Sequence, residues 1–249
     1  MARRRFHAPP DAFNFETLTV TLAADEARHL RDVLRLKTGD AVYVFNGAGR
    51  EFRCLVENVR RDFAELRIDS ELQPTGPESQ LQLKLGVALL KGEKFDLVVQ
   101  KATELGVRQI VPVMTRHADI QLRDESDASK RVARWQRIAL EAAKQSGRAV
   151  VPEVRTPVSF ESFLEGTKAA ELCLMFSERD GGGLWLISGR EPRNVTALVG
   201  SEGGWSNEEI ESARDHEFHV ITLGGRILRA ETAAITVTAL LQHLFGDLK

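Results

Sequence analysis

Two glycine-bearing segments in the last quarter of the chain hold the residues best suited to chemistry. One runs Leu198-Val199-Gly200-Ser201-Glu202-Gly203-Gly204-Trp205-Ser206, the other Leu223-Gly224-Gly225-Arg226-Ile227-Leu228-Arg229-Ala230-Glu231-Thr232-Ala233. In each, an apolar run ends, glycines follow, and a helical stretch begins soon after. Glycine permits positive φ and lets a ligand approach the backbone. A helix start presents unpaired N–H groups to that ligand. The pair predicts one small-molecule pocket built mainly from main chain. Neither G-x-G-x-x-G nor G-x-x-x-x-G-K-[ST] occurs, so the commoner nucleotide loops are excluded. Three charged side chains stand among the glycines. Glu202 and Glu231 can take a proton, and Arg229 can stabilise an anion. A structural role competes for both carboxylates. Glu231 sits at a predicted helix start, where the dipole favours a negative charge, and Glu202 can fix its own turn.

The elements that must position these residues fall into two groups. Residues 17–70 read as a small β domain, with strands over Thr17–Leu22, Ala41–Asn46, Glu51–Val59 and Phe63–Ile68. Between the first two, residues 24–36 have helical spacing, with Ala27, Leu30, Val33 and Leu34 on one face. Residues 73–80 are a linker by composition. Beyond it, strands over Leu81–Leu90, Ile110–Val113, Val150–Val154, Glu171–Phe176, Val195–Val199 and His219–Leu223 alternate with helical segments at Lys94–Leu105, Ser126–Ser146 and Ala230–Phe245. That alternation predicts a parallel sheet with helices on both faces, an α/β fold. The expected domains are therefore 1–72 and 81–249.

The two glycine segments closely resemble those of the knotted SPOUT superfamily of S-adenosylmethionine-dependent RNA methyltransferases. The second segment is complete; the first departs once, with Ser201 where proline is usual. Further stretches are similar to the RsmE family of 16S rRNA (uracil-N3)-methyltransferases: His29-x3-Val33-Leu34-Arg35-Leu36, Lys91–Asp96, Lys101–Val107 and Glu141–Arg148. The resemblance covers nearly the whole chain. It implies a PUA-like barrel at 1–72, a trefoil-knotted methyltransferase domain at 81–249, a homodimer, and a substrate in 16S rRNA or the small ribosomal subunit. It also implies S-adenosylmethionine at Phe176, Gly200, Glu202, Gly203, Gly204, Leu223, Gly224, Ile227, Leu228, Thr232 and Ala233. Arg229, Glu231 and Arg148 are then the candidate catalytic residues, Arg148 by facing the partner subunit's pocket. A ribose 2′-O-methyltransferase and a non-catalytic assembly factor are the competing readings.

Charge adds to the nucleic-acid reading by its distribution rather than its sum. The net charge is −2, yet residues 81–160 carry 14 Lys/Arg against 9 Asp/Glu, and residues 161–249 carry 8 against 14. Basic groups at Arg3, Arg4, Arg5, Arg31, Arg35, Lys91 and Lys94 are the expected phosphate contacts. Cys54 and Cys173, far apart in apolar runs, are expected as free thiols. No metal-ligand spacing, membrane-length apolar run or signal-peptide core is visible, so a cytoplasmic protein without a metal is expected. An apolar stripe at Ala234, Val237, Leu241, Leu244 and Phe245 is the expected dimer surface of the last helix.

Overall fold

A computed structural model describes residues 4–118, 120 and 124–249; the expected phosphate contact Arg3 lies outside them. The chain divides into two compact units.

The first unit comprises Met1–Glu78 together with Ala143–Val151. Its strands are β1 (Arg5–His7), β2 (Phe13–Asn14), β3 (Thr19–Leu22), β4 (Ala41–Phe45), β5 (Glu51–Val59) and β6 (Ala64–Leu72). They form one sheet in the order β1-β4-β5-β6-β3-β2. Only β1 and β4 pair in parallel; the other neighbours are antiparallel. Strand β6 alternates, with Ala64, Leu66 and Ile68 buried between exposed Glu65, Arg67 and Asp69, as a half-buried strand requires. Phe6, Leu22, Val44, Phe52 and Cys54 complete the core.

The helix expected over 24–36 is shorter than its periodicity suggests. Helix α1 covers Ala24–Arg28 and passes into a wider π turn over His29–Val33. The Leu34 amide reaches back to the His29 carbonyl at 3.0 Å. That i→i+5 bond rotates the apolar face, so Leu30 stays buried while Val33 is 65% exposed.

Ala143–Val151 belongs to this unit through hydrogen bonds the sequence did not advertise. The Arg5 guanidinium donates to the carbonyls of Ala143, Lys144 and Arg148 at 3.2, 2.9 and 3.0 Å and to Glu51 at 3.1 Å. Amide–carbonyl bonds tie Val151 to Gly47 and Gly49 to Ala149.

The second unit holds Ser79–Ala142 and Pro152–Lys249. Its strands are β7 (Gln82–Ala88), β8 (Gln109–Met114), β9 (Glu153–Val154), β10 (Val158–Ser159), β11 (Leu172–Phe176), β12 (Asn194–Val199) and β13 (His219–Ile221). The sheet runs β10-β8-β7-β12-β11-β13, with β9 also on β8, and every pairing is parallel. Parallel neighbours need crossovers, supplied here by α2 (Lys94–Glu104), α3 (Glu125–Ser146), α4 (Phe160–Glu165), α5 (Asn207–Asp215), α6 (Ala230–Phe245) and loops. Central strands β7 and β12 are buried along most of their length on both faces, as a doubly covered sheet demands.

Helix α6 packs on α2 and β12. Ala234, Val237 and Leu241 of the expected dimer stripe are fully buried within the chain, so this part of the stripe serves the chain's own core. No helix among the described residues is long and apolar enough to cross a membrane. Cys54 and Cys173 are free thiols.

Candidate functional site

Strands β11, β12 and β13 point their carboxyl ends at one cleft, where ligands of open parallel sheets bind. The cleft encloses about 540 Å³, open solvent included. Phe176, Gly200, Gly204, Leu223, Gly224, Leu228 and Ala233 all line it, so two segments some twenty residues apart do meet in one wall.

The backbone there has specific reasons for its shape. Trp205 is 2% exposed, and its indole N–H donates to the Phe176 carbonyl at 2.8 Å. This bond locks the turn after β12 to the end of β11. An added Cβ at Gly200 would lie 3.0 Å from that indole. Gly204 has φ +66, and a Cβ there would come 2.7 Å from Glu178 Oε1, closing the cradle from below. Ser206 then starts α5 with a reciprocal capping box: its hydroxyl accepts from the Glu209 amide, and Glu209 accepts from the Ser206 amide. Glu209 also accepts the Arg116 amide at 2.9 Å. One buried carboxylate thus joins the segment after β8 to the turn after β12.

Four expected cofactor residues do not line the cleft. Gly203 faces the segment after β8, where an added Cβ would lie 2.7 Å from His117 Cβ. Ile227 is 87% exposed, and Thr232 is exposed on the first turn of α6. Glu202 leaves its turn to pair with Lys94 at the start of α2.

That pair belongs to a four-charge cluster beside the cleft. The Lys94 ammonium is held above its ordinary range, first by its hydrogen bond to Glu202, then, against some desolvation, by the charges of Glu202 and Glu231; Arg229 opposes them. Lys94 therefore stays protonated. Arg229 caps α6 through its carbonyl, which accepts the Ala233 amide at 2.8 Å, and its side chain forms no hydrogen bond or salt bridge among the described residues. Glu231 Oε2 is buried and has no hydrogen-bond partner among them.

The basic residues differ in exposure. Arg4, Arg35 and Lys91 are exposed. Arg31 is forked onto Asp32 at 2.6 and 2.8 Å and donates to the carbonyls of Arg60 and Arg61. Two further arginines are enclosed. The Arg5 side chain is 6% exposed, sequestered by Glu51 and three carbonyls, so it offers nothing to a phosphate. The Arg148 side chain is 5% exposed and grips Glu78 at 2.8 and 3.2 Å. Within this chain its charge is already satisfied inside the first unit.

Comparison with known proteins decides the family. A model described as an RNA methyltransferase domain matches residues 77–242, and one described as an RNA methyltransferase PUA domain matches residues 22–69. Ribosomal RNA small subunit methyltransferase E of Synechocystis is 32% identical over 91% of this chain and 73% of its own length. The chain belongs to the ribosomal RNA small subunit methyltransferase E family. Two solved structures share its fold throughout. A methyltransferase from Legionella pneumophila in complex with S-adenosylmethionine has a TM-score of 0.89 at 33% identity, covering 100% of both chains. The family member from Neisseria gonorrhoeae, bound to the same molecule, has a TM-score of 0.87 at 33% identity, again over 100% of both.

For a methyltransferase of this family, the sequence reading missed Ser177, Glu178, Thr222 and Arg226, among others, on the cleft wall. A signal for Glu178 existed. Phe176 ends a strand, and the residues after a strand end face the same opening as the other two loops.

Proposed function

We propose that this chain transfers a methyl group from S-adenosylmethionine to N3 of a uridine in 16S rRNA. The observation that carries the proposal is the cleft where the two glycine segments meet, in a fold whose solved relatives bind that cofactor. The residues present fit it: Gly200 and Gly204 keep the floor free of side chains, Phe176, Leu223 and Leu228 supply apolar walls, and Glu178 adds one carboxylate. When bound, the cofactor supplies an electrophilic methyl group on a sulfonium.

The chain's own task is to hold the target base in line and remove its N3 proton. Of the two carboxylates, Glu202 is engaged by Lys94, whereas Glu231 has an unpartnered oxygen. Glu231 is therefore the base in this reading, and Arg229, unpaired and next to it, contacts the RNA. Exposed Arg4, Arg35 and Lys91 join Arg31 as phosphate contacts. The proposal includes a cytoplasmic homodimer, a knotted second domain, a PUA-like barrel in the first, and the small ribosomal subunit as partner.

The test is methylation of small subunits, and of free 16S rRNA, with labelled cofactor, followed by mass analysis of the nucleosides. N3-methyluridine is expected. A 2′-O-methylated nucleoside, or cofactor binding with no transfer to either substrate, would overturn the proposal.

A further inference from the structure

The sequence alone assigned Lys94 to a phosphate. Its surroundings say otherwise. We infer that Lys94 is a catalytic residue whose ammonium, held in place by Glu202, contacts a carbonyl oxygen of the target uracil and stabilises the anion left when N3 loses its proton. The inference rests on the uracil-N3 reading above.

Three observations carry it. First, Lys94 opens α2 and its ammonium is clamped by Glu202, which lies in the turn whose flanking residues, Ser201 and Gly204, line the cleft. A charge that must act at one atom gains from being held in place. Second, Glu231 and Arg229 act on Lys94 electrostatically, so all four charges share one locality, beside Ala230 and Ala233 of the cleft wall. Third, the charges balance for this chemistry. Lys94 and Arg229 against Glu202 and Glu231 sum to zero. Once Glu231 accepts the N3 proton, the cluster carries one positive charge and the uracil one negative charge. The N3 lone pair then forms the new N–C bond, the methyl–sulfur bond breaks with its pair going to sulfur, and the proton leaves Glu231 for solvent. Lys94 never gives up its proton. Glu202 is a positioning residue that acts through it.

The experiment uses the full chain with its rRNA substrate and compares Lys94→Met, Lys94→Arg and Glu202→Gln. Calorimetry with S-adenosylmethionine first checks that each cleft is intact. Single-turnover rates at saturating RNA and cofactor should fall roughly 100-fold or more in Lys94→Met, the scale for losing one oxyanion donor. RNA affinity and its salt slope should stay near wild type. The rate should keep rising to higher pH than in wild type, because the uracil anion now forms without help. RNA carrying 5-fluorouridine, whose N3 is more acidic, should recover part of the loss. Lys94→Arg should keep much of the activity, and Glu202→Gln should show a smaller loss with the same fluorouridine response. Should Lys94→Met fail to fold, Glu202→Gln carries the test, since it leaves the ammonium in place. A normal saturated rate with weaker RNA binding and a salt slope lower by roughly 0.7–0.9 would return Lys94 to a phosphate contact. A rate loss that 5-fluorouridine leaves untouched would also overturn the inference. A wild-type protein that makes no N3-methyluridine would instead overturn the uracil-N3 reading, and this inference with it.

Discussion

Replacing Arg148 with alanine separates a structural arginine from a catalytic one. The side chain is 5% exposed and its partner Glu78 is 19% exposed, joined at 2.8 and 3.2 Å. Glu78 Oε1 also accepts the Val150 amide at 3.0 Å, so the carboxylate left behind would keep that donor and some water. Removing one member of a buried pair costs about 3–5 kcal/mol, and that residual solvation places Arg148→Ala near the low end, about 3 kcal/mol. Domains have about 5–15 kcal/mol in all. The first unit should therefore stay folded, with its open population raised by roughly 100-fold. Tryptophan fluorescence is the wrong probe, because Trp135, Trp185 and Trp205 all lie in the second unit. Hydrogen exchange read by mass spectrometry resolves the two. Peptides from Met1–Glu78 and Ala143–Val151 should lose protection, while those from the second unit keep theirs. Cofactor affinity should be unchanged, and the single-turnover rate should follow the folded fraction. Arg148→Met with Glu78→Leu should recover part of the loss, since no charge is then stranded. Unchanged protection together with a collapsed rate at saturating RNA would refute the reasoning and restore Arg148 as a group that serves the reaction.

Gly204→Ala should cost about 1–2 kcal/mol from its left-handed backbone alone; by displacing Glu178 it should also weaken S-adenosylmethionine binding in calorimetry. Trp205→Phe strands the Phe176 carbonyl and should lower thermal stability by about 1–3 kcal/mol; unchanged melting would show the bond to be dispensable. Burial, and then the nearby Lys144 charge, hold His7 below its ordinary 6.5. The unfolded chain then binds the proton more readily, so stability present above that value is lost as pH falls through and below it; His7→Gln should flatten that part of the pH–stability curve. Burial pushes the Cys54 thiol up to about 12, with Asp69 adding to the shift, so alkylation at neutral pH should reach it only after unfolding; rapid labelling of the native protein would contradict its place in the core.

Much of the second unit was legible because parallel strands announce themselves. Glu171–Phe176 and Val195–Val199 are short apolar runs between helical segments, and both became central strands almost to the residue. The two glycine segments could be paired for a similar reason: each is punctuation after such a strand, and strand ends of one parallel sheet open on one side. Helix 24–36 was misread because periodicity assumes a constant turn, and one wide turn at His29 shifts every later residue. The family resemblance places Ile227 among the cofactor contacts, and the loop turns its side chain outward to 87% exposure.

The sequence by itself determined the family, the α/β class of the second unit and part of the cleft wall. These depend on local patterns: apolar runs, glycine turns and helix starts that mean the same thing wherever the chain carries them. Which charges are free was decided only by the tertiary structure. Arg5, Arg148 and Lys94 read alike in sequence, as basic groups near expected RNA. In the fold, Arg5 is enclosed by Glu51 and the carbonyls of Ala143, Lys144 and Arg148, Arg148 is closed on Glu78, and Lys94 is clamped by Glu202. Each of those partners lies tens of residues away or more. An ion pair's strength falls with distance in space, not along the chain, and only folding sets that distance.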